Sequence, residues 1–574
     1  MHRTHNCGEL RAKDEGTTVT IAGWTHAIRL HGRIAFIDVR DRYGITQATV
    51  GEDFADLTKD LKRESVIKIT GVAKKKPQPN PRLATGEIEV VAEKFEVLNP
   101  AQPLPIEIEA ENSDEIRLKY RYLDLRRPAM QHKLAMRDNV AASVRKHLRA
   151  MGFLEIETPL LVKSTPEGAR DYVVPSRIHH GTFYALPQSP QLYKQLLMVS
   201  GCDRYFQLAK CLRDEDLRMD RQPEFTQIDV EMSFVEQDDV LSAGERLVHN
   251  VVKDVKSVDV PLPLRRISYE ESMDRYGCDK PDLRFGLELT DVTYIVKSSD
   301  FKIFSEAQLV KCLVVPKLLG RKEIDRYTEF AKANKAKGLA YVNVLADGKT
   351  LDGGVAKFLT PDMQASIIEA SGAKPEQTIL FVADAKKACN EALSKLRNLL
   401  GKELSLYDPK ALAFCWVVDF PLFEWDDDTQ DWTPAHHMFT MPRPEHLQYL
   451  RTEPGKVVAQ CYDLVLNGVE MASGSIRVHR QDIQREIMTA MNISEEQAKV
   501  KFGFLLEAFT YGAPPHGGFA IGFDRFVAML EQEADIREFI AFPKNKSAEC
   551  PMDGSPSLVD AKQLDDLGLA LKKL

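Results

Sequence analysis

The sequence predicts a multidomain α+β protein, with a small N-terminal β-barrel, a larger β-rich body, and an α/β domain inserted into that body. Three observations carry this prediction. A chain of 574 residues, at roughly 100–200 residues per domain, has room for three or four cores. Residues 18–98 hold short β-like runs in close succession, while later segments show helical spacing. Residues 276–410 alternate strand-like and helical runs, and the earlier β-rich texture resumes beyond them, as it does when one domain interrupts another's loop.

Composition narrows the class. Hydrophobic residues at 44% and charged residues at 28%, with Gly 32 and Pro 30, match ordinary globular usage and exclude collagen-like, low-complexity and largely disordered chains. The 77 Lys and Arg against 85 Asp and Glu leave a net charge of −8. The summed field of such a chain repels a polyanion, so any nucleic-acid partner must meet a local basic surface. The first residues lack an apolar signal core, and no window approaches the roughly 18 apolar residues of a span, which predicts a cytoplasmic protein without a membrane partner. Nine cysteines are scattered without a CxxC pair, so buried thiols are expected rather than disulfides or a zinc knuckle.

The barrel comes first. Five predicted strands, 18–24, 33–41, 45–51, 65–74 and 86–98, are separated by Gly, Pro and charged turns. An OB-fold is the commonest such object that binds oligonucleotides. Alternation along the second strand puts Ala35, Ile37 and Val39 on one face and Phe36, Asp38 and Arg40 on the other. Phe36 on a polar face is a candidate for base stacking. Residues 1–105 carry 16 basic and 14 acidic residues, so the barrel is the basic end of the chain, with Lys74, Lys75 and Lys76 adding to it.

Prolines and acidic residues between 99 and 115 read as a linker. A helix is expected from about His132, with Val140, Val144, Leu148 and Met151 on one face and Gly152 as its stop. Ser189 and Pro190 read as an N-cap and first-turn pair for a helix on which Gln191 and Lys194 share a face. The predicted boundaries are 1–105 for the OB barrel, 106–130 for a linker, 131–275 and 411–545 for the two parts of the body, 276–410 for the insertion, and 546–574 for a C-terminal extension.

Two segments are dense in charge and glycine inside otherwise apolar strands. In the first, Arg213, Asp214 and Glu215 precede a polar loop to Gln222 and a second run containing Phe225 and Asp229. A strand would place Arg213 and Glu215 on one face, and a hairpin would bring Phe225 and Asp229 alongside. An arginine beside an aromatic ring can bind phosphate while the ring stacks a base. In the second, Gly517, Gly518 and Gly522 lie in a strand that ends at Phe523, Asp524 and Arg525. Strand glycines mark close approach of a backbone or ligand, and a guanidinium at the strand end can cover a purine or grip a terminal phosphate.

These segments resemble motifs 2 and 3 of the class II aminoacyl-tRNA synthetases, and Gly152, Phe153, Glu155, Thr158, Pro159 and Leu160 resemble motif 1. Over nearly the whole chain the sequence resembles the bacterial aspartyl-tRNA synthetases, most specifically in residues 164–172, 188–194, 467–470 and 474–477. The resemblance implies an OB anticodon-binding domain, an antiparallel-sheet catalytic domain and an inserted GAD domain. It implies that Glu167, Ser189, Gln191 and Asp229 hold the substrate ammonium region, and that Lys194 and Arg477 pair the side-chain carboxylate of L-aspartate with His436 or His437 as a further donor. Fixed cations suit that substrate, because its amide would leave them uncompensated.

For ATP, the resemblance implies Arg213 at the α-phosphate, Glu215 and Gln222 at the adenine, Phe225 on the base face and Arg525 on the opposite face and γ-phosphate. Asp214, Gly522, Phe523 and Asp524 are placed at the same nucleotide, and Asp463 and Glu470 match magnesium carboxylates. Arg213, Glu215 and Arg525 are the expected catalytic residues of in-line attack by the aspartate carboxylate on the α-phosphorus, followed by transfer to the tRNA 3′ end. Ala472 and Ser473 stand where the family commonly has two glycines, and Met438 where it commonly has Pro.

Family resemblance further places Arg29, Phe36, Gln47 and Glu89 at the anticodon, with His31 in the loop before the second strand marking enzymes that charge tRNA-Asn as well as tRNA-Asp. Such an enzyme hands its Asp-tRNA-Asn to a tRNA-dependent amidotransferase. Motif 1 implies a homodimer. Asparaginyl-tRNA synthetase and a non-catalytic RNA-binding relative are the competing readings; the insertion and the Lys194–Arg477 pair argue against the first, and retention of Arg213, Glu215, Asp463, Glu470 and Arg525 against the second.

Overall fold

The computed structural model describes residues 2–165 and 168–572. The chain divides into two compact units, Met1–Ala135 with Arg537–Ser557, and Met136–Ile536 with Leu558–Leu574.

In the first unit, strands Thr18–His31, Ile34–Arg40, Ile45–Val50, Val66–Lys75 and Ile88–Asn99 close into a barrel in the order first, second, third, fifth, fourth. Strict alternation fills its core with Val19, Ile21, Ala35, Ile37, Val39, Ala48, Ile67 and Val90. The first strand is longer than its apolar alternation suggested. Its last residue, His31, pairs with Ile34 across a two-residue turn at Gly32, whose φ of 63° suits glycine. His31 therefore belongs to a strand end and not to the loop expected there.

The 106–130 segment is folded rather than a plain linker. It buries Ile106 and Ile108 and forms helices Asp114–Lys119 and Arg121–Asp124. Arg121 donates to the carbonyls of Arg537, Ile540 and Ala541, and Arg117, Arg121 and Arg127 all pair with the buried Asp124. Composition read this stretch as a linker because its prolines and charges are visible in sequence, whereas the carbonyls that receive Arg121 lie more than 400 residues away. The same contacts join residues 537–557 to this unit, so the predicted breaks at 545 and 546 do not fall on a structural boundary.

The second unit is built on an eight-stranded sheet in the order Arg265–Ser268, Phe414–Val418, Cys461–Leu466, Val469–Ile476, His516–Gly522, Glu224–Ser233, Arg204–Leu212, Leu154–Glu155. The six central strands are antiparallel, and each edge strand pairs parallel. Helix Pro128–Ala150 starts a turn earlier than expected, buries Val140, Val144 and Leu148, and stops at Gly152 with φ 83°.

The inserted segment forms its own five-stranded sheet, Leu289–Asp291, Leu309–Val315, Thr378–Asp384, Ala340–Val344, Leu351–Asp352, antiparallel throughout. Both faces are covered. Leu313, Val315, Leu380 and Val382 pack on helices Arg321–Ala333 and Lys386–Glu403, while Val310, Cys312, Ile379 and Phe381 face the side that carries helix Pro361–Ser371. Among the described residues no helix is long and apolar enough to cross a membrane, and the cysteines are free thiols.

Candidate active site

The central strands of the eight-stranded sheet floor a cleft of about 770 Å³, within the range of small-molecule sites. Antiparallel pairing sets Phe225 opposite Cys211 and Asp229 opposite Gln207. The strand ends at Leu212, so Arg213 and Glu215 lie in the following loop rather than on the expected strand face. The backbone N–H of Arg213 still donates to the Pro223 carbonyl at 2.9 Å. This closes the hairpin and holds the guanidinium 5.1 Å from the centroid of the Phe225 ring. Glu215 stands 3.9 Å from Arg213 and 2.5 Å from Arg221 of the return loop.

At the other end of the cleft lies a buried charge cluster. Asp229 and Glu231 occupy one face of strand Glu224–Ser233 by period-two alternation. Lys194 Nζ, from the first turn of helix Gln191–Val199, donates to Asp229 Oδ1 at 2.6 Å and lies 3.3 Å from Glu231. Arg477 grips Glu231 at 2.9 Å and 3.2 Å and donates to Ser475 Oγ at 2.8 Å. The two expected cations are therefore each already paired with a buried acid. Burial opposes ionisation of Glu231, but Arg477 and Lys194 outweigh it and bring its pKa down to about 2. Asp229 is pushed up, burial exceeding the pull of Lys194.

Two buried atoms in this cluster have no protein partner, Gln191 Nε2 and Asp229 Oδ2. Buried polar atoms are rarely left so without a ligand or water to meet them. Pro190, not Ser189, occupies the cap position of the helix; Ser189 Oγ still accepts from the Gln191 N–H at 3.3 Å. His437 Nδ1 accepts from the Phe439 N–H at 3.3 Å, which leaves Nε2–H as the donor. Desolvation, then the charges of Arg477 and Lys194, hold its pKa down to about 3. His436 also lines the cleft, in a group with Cys461 and Asp463 whose ligating atoms lie within 4.8 Å of one another. Burial keeps the Cys461 thiol well above its ordinary pKa.

Hairpin strands Cys461–Leu466 and Val469–Ile476 carry Asp463 and Glu470, the latter lining the cleft beside Arg525. Asp463 is buried beneath the cleft surface with Oδ1 unpartnered, and burial followed by the proximity of Glu470 pushes its carboxyl well above the usual range. An orphaned carboxylate oxygen beside a second acid fits a divalent cation that takes oxygen ligands. Arg525 lies in the first turn of helix Phe523–Leu530, donating to the Glu470 carbonyl at 2.9 Å and to Asp220 at 3.1 Å, with Nε unpartnered.

Gln222 and Gly522 line the cleft with Phe225 and Arg525. Of the other expected nucleotide residues, Asp524 lines the cleft but is engaged by protein partners, and Phe523 and Asp214 do not line it. Asp524 is buried, pairing with Arg137 at 2.5 Å and accepting the Thr226 N–H at 2.7 Å. Phe523 is a core side chain under the Arg137 guanidinium, 4.6 Å from its ring centroid, and does not reach the cleft. Asp214 turns toward Arg170 at 3.5 Å and does not line the cleft. Phe523 and Asp524 lie in the first turn of helix Phe523–Leu530 and Asp214 in the loop after strand Arg204–Leu212, where the core and neighbouring elements engage their side chains. Glu167 lies outside the described residues.

Sequence reasoning missed Glu231 and Lys280. The alternation Gln227, Asp229, Glu231 along one strand face was a usable signal for the first. Lys280, at the start of the inserted segment, pairs with Glu470 at 3.1 Å and lines the cleft; nothing local in sequence ties residues so far apart.

On the barrel, Arg29 pairs bidentately with Asp38 at 2.9 Å and 3.0 Å and reaches Gln47 at 3.4 Å, while Gln47 donates to Glu89 at 3.1 Å. Phe36 sits opposite Arg29 in the strand pair, partly exposed, with the His31 ring edge-on at 5.8 Å. The five residues expected on this surface are thus brought together.

Comparison with known proteins agrees with this architecture. Residues 113–546 match the family described as tRNA synthetases class II (D, K and N), and residues 19–98 match the OB-fold nucleic acid binding domain. The chain is 50% identical to the aspartate–tRNA ligase of Bacillus licheniformis, covering 100% of this chain and 99% of that one. It is 49% identical to the aspartate–tRNA(Asp/Asn) ligase of Treponema denticola, covering 100% of both. Among solved structures, asparaginyl-tRNA synthetase from Pyrococcus horikoshii complexed with asparaginyl-adenylate has a similar fold, with TM-score 0.60 and 20% identity over 94% of this chain and 97% of that one. Aspartyl-tRNA synthetase from Entamoeba histolytica is similar at TM-score 0.58 and 18% identity, over 94% and 91%. By family match and by full-length identity, the chain belongs to the class II tRNA synthetases of the D, K and N group, in the aspartate–tRNA ligase family.

Proposed function

We propose that this chain activates L-aspartate with ATP and transfers it to the 3′ end of tRNA-Asp and tRNA-Asn. The observation that carries this reading is a single cleft joining a floor of fixed charges, Lys194 and Arg477, to the Arg213–Phe225 clamp. A dicarboxylic amino acid fits the first, a nucleotide the second. Asp229 Oδ2 and Gln191 stand ready for the amino group and backbone, and His437 Nε2–H for the side-chain carboxylate.

In the first step a carboxylate oxygen of aspartate attacks the α-phosphorus, the bond to the β-phosphate oxygen breaks, and pyrophosphate leaves. No proton moves, and no protein nucleophile is required. Arg213 meets charge developing on the α-phosphate, Phe225 stacks the base, and Arg525 covers the opposite side, so that positioning and fixed charge lower the barrier. Asp463 and Glu470 would hold Mg²⁺, which when bound neutralises phosphate charge. In the second step the terminal hydroxyl of the tRNA attacks the acyl carbonyl, the bond from that carbon to the adenylate phosphate oxygen breaks, and AMP leaves, its phosphate taking up the hydroxyl proton.

The Arg29, Phe36, Gln47 and Glu89 surface supports anticodon reading by stacking and base-edge contacts, and His31 beside Phe36 supports acceptance of both tRNAs. Asp-tRNA-Asn would then pass to a tRNA-dependent amidotransferase. Exposed Leu160, Leu161, Val173, Phe183 and Tyr184, gathered where Val162 bridges Ala185 and strands Val173–Pro175 and Phe183–Ala185 pair, support a homodimer. A cytoplasmic location accords with this role.

Aspartate-dependent ATP–pyrophosphate exchange in the presence of Mg²⁺ tests the reading. Exchange stimulated by aspartate is expected; exchange stimulated by asparagine instead, or by neither, would overturn it.

A further inference from the structure

The inserted segment returns to the body at a single hairpin turn. Asn467 and Gly468 form this turn with φ of 52° and 84°, between the strands that carry Asp463 and Glu470. Asn467 receives the exit of the insertion, accepting from the Ala413 N–H at 2.9 Å and donating to the Ala411 carbonyl at 2.8 Å. Gly468 receives its entry, where an added Cβ would stand 3.3 Å from Asp282 Cβ. Both roots of the insertion are therefore registered on the turn that precedes Glu470.

The entry segment is held rigid from within. Arg397, fully buried on helix Lys386–Glu403, donates to the carbonyls of Asp282, Phe285, Gly286 and Leu287 at 2.8 to 3.0 Å. Its guanidinium lies 4.9 Å from the Tyr276 ring centroid and 4.2 Å from that of Phe285. These contacts fix the segment immediately beside Lys280. Lys280 Nζ is 3.1 Å from Glu470 Oε2 and 3.7 Å from Asp279, and its half-buried side chain lines the nucleotide end of the cleft. Arg525 donates to the main-chain carbonyl of the same Glu470, so two cations bracket one residue.

We propose that the inserted domain supplies Lys280 as a ligand for the triphosphate of ATP, binding the β- and γ-phosphates that leave as pyrophosphate, with Arg397 as its positioning residue. In the free protein Lys280 is parked on Glu470. When the triphosphate enters, the ammonium exchanges that partner for phosphate oxygens, a trade of one anion for a more highly charged one. The insertion thus completes the nucleotide site through one side chain from its root. This deepens the proposed function and rests on it.

The test uses the full-length chain with Lys280→Met and Lys280→Arg. Calorimetry with ATP and with AMP, both in Mg²⁺, separates contact with the outer phosphates from any general disturbance of the site. Lys280→Met is expected to weaken ATP at least tenfold and AMP less than twofold, to raise the ATP KM in exchange while leaving the aspartate KM unchanged, and Lys280→Arg to recover most of the ATP affinity. ATP binding within twofold of wild type, or equal weakening of ATP and AMP, would overturn the proposal. Wild-type protein that lacks aspartate-dependent exchange would overturn instead the reading on which it rests.

Discussion

Glu231 holds Arg477 through both carboxylate oxygens, and its Oε2 also lies 3.3 Å from Lys194, so one buried acid ties together two cations at one end of the cleft. Removing one member of such a buried set leaves a charge without its partner. Glu231→Gln is expected to cost about 3–5 kcal/mol of stability, the order seen when one partner of a buried pair is removed. Denaturant unfolding of the variant measures it, and a loss below about 1 kcal/mol would show that Arg477 is held by its other partners.

Arg213 meets the α-phosphate in the proposed reaction and leans on Phe225. Arg213→Ala removes a charge that works only as the transition state develops, so exchange should slow by roughly 10² or more. Phe225→Leu keeps the charge and removes the stacking ring, and should raise the ATP KM more than it lowers kcat. Steady-state exchange kinetics separate the two, and an Arg213→Ala variant with wild-type rate would refute the assignment.

His437 is held neutral, its pKa down to about 3 through desolvation and the nearby cations. A folded-state pKa below the unfolded value of about 6.5 favours proton uptake by the unfolded chain, so stability present above that value is lost as pH falls through the window from about 6.5 to about 3. Wild type should therefore lose thermal stability more steeply than His437→Asn below pH 6.5. The aspartate kcat/KM should carry no His437 titration between pH 6 and 8; an inflection there that His437→Asn abolishes would contradict a neutral donor.

What could be read from sequence was what repeats locally. The barrel core Ala35, Ile37 and Val39 and the helix face Val140, Val144 and Leu148 follow from periods of two and 3.6. Motif resemblance placed Lys194, Arg477, Arg213 and Arg525 around one cleft. It did not show that Asp524 is occupied by Arg137 of a helix far away in the chain, nor that Lys280 crosses from the insertion to Glu470. Such pairings depend on how separate elements dock, which no local pattern encodes. The linker reading and the break at 545 went astray for the same reason, since the partners of Arg121 lie at residues 537, 540 and 541.

Discrimination between tRNA-Asp and tRNA-Asn rests on the last anticodon base, C in one and U in the other, which exchange a donor for an acceptor. His31 closes the first barrel hairpin, paired with Ile34 and edge-on to Phe36 at 5.8 Å, so its ring borders the proposed stacking platform. An imidazole carries both a donor and an acceptor nitrogen, and can satisfy either base; a leucine at this position can satisfy neither and leaves the choice to its polar neighbours. Wild type should therefore charge both tRNA transcripts with kcat/KM values within about tenfold. His31→Leu should raise the preference for tRNA-Asp by about 1 to 3 kcal/mol, the worth of one well-placed contact, or roughly 5- to 160-fold. A wild-type preference above about a hundredfold, near 2.7 kcal/mol by transition-state arithmetic, would refute dual charging, and an unchanged ratio in His31→Leu would remove His31 from the discrimination while leaving the dual activity intact.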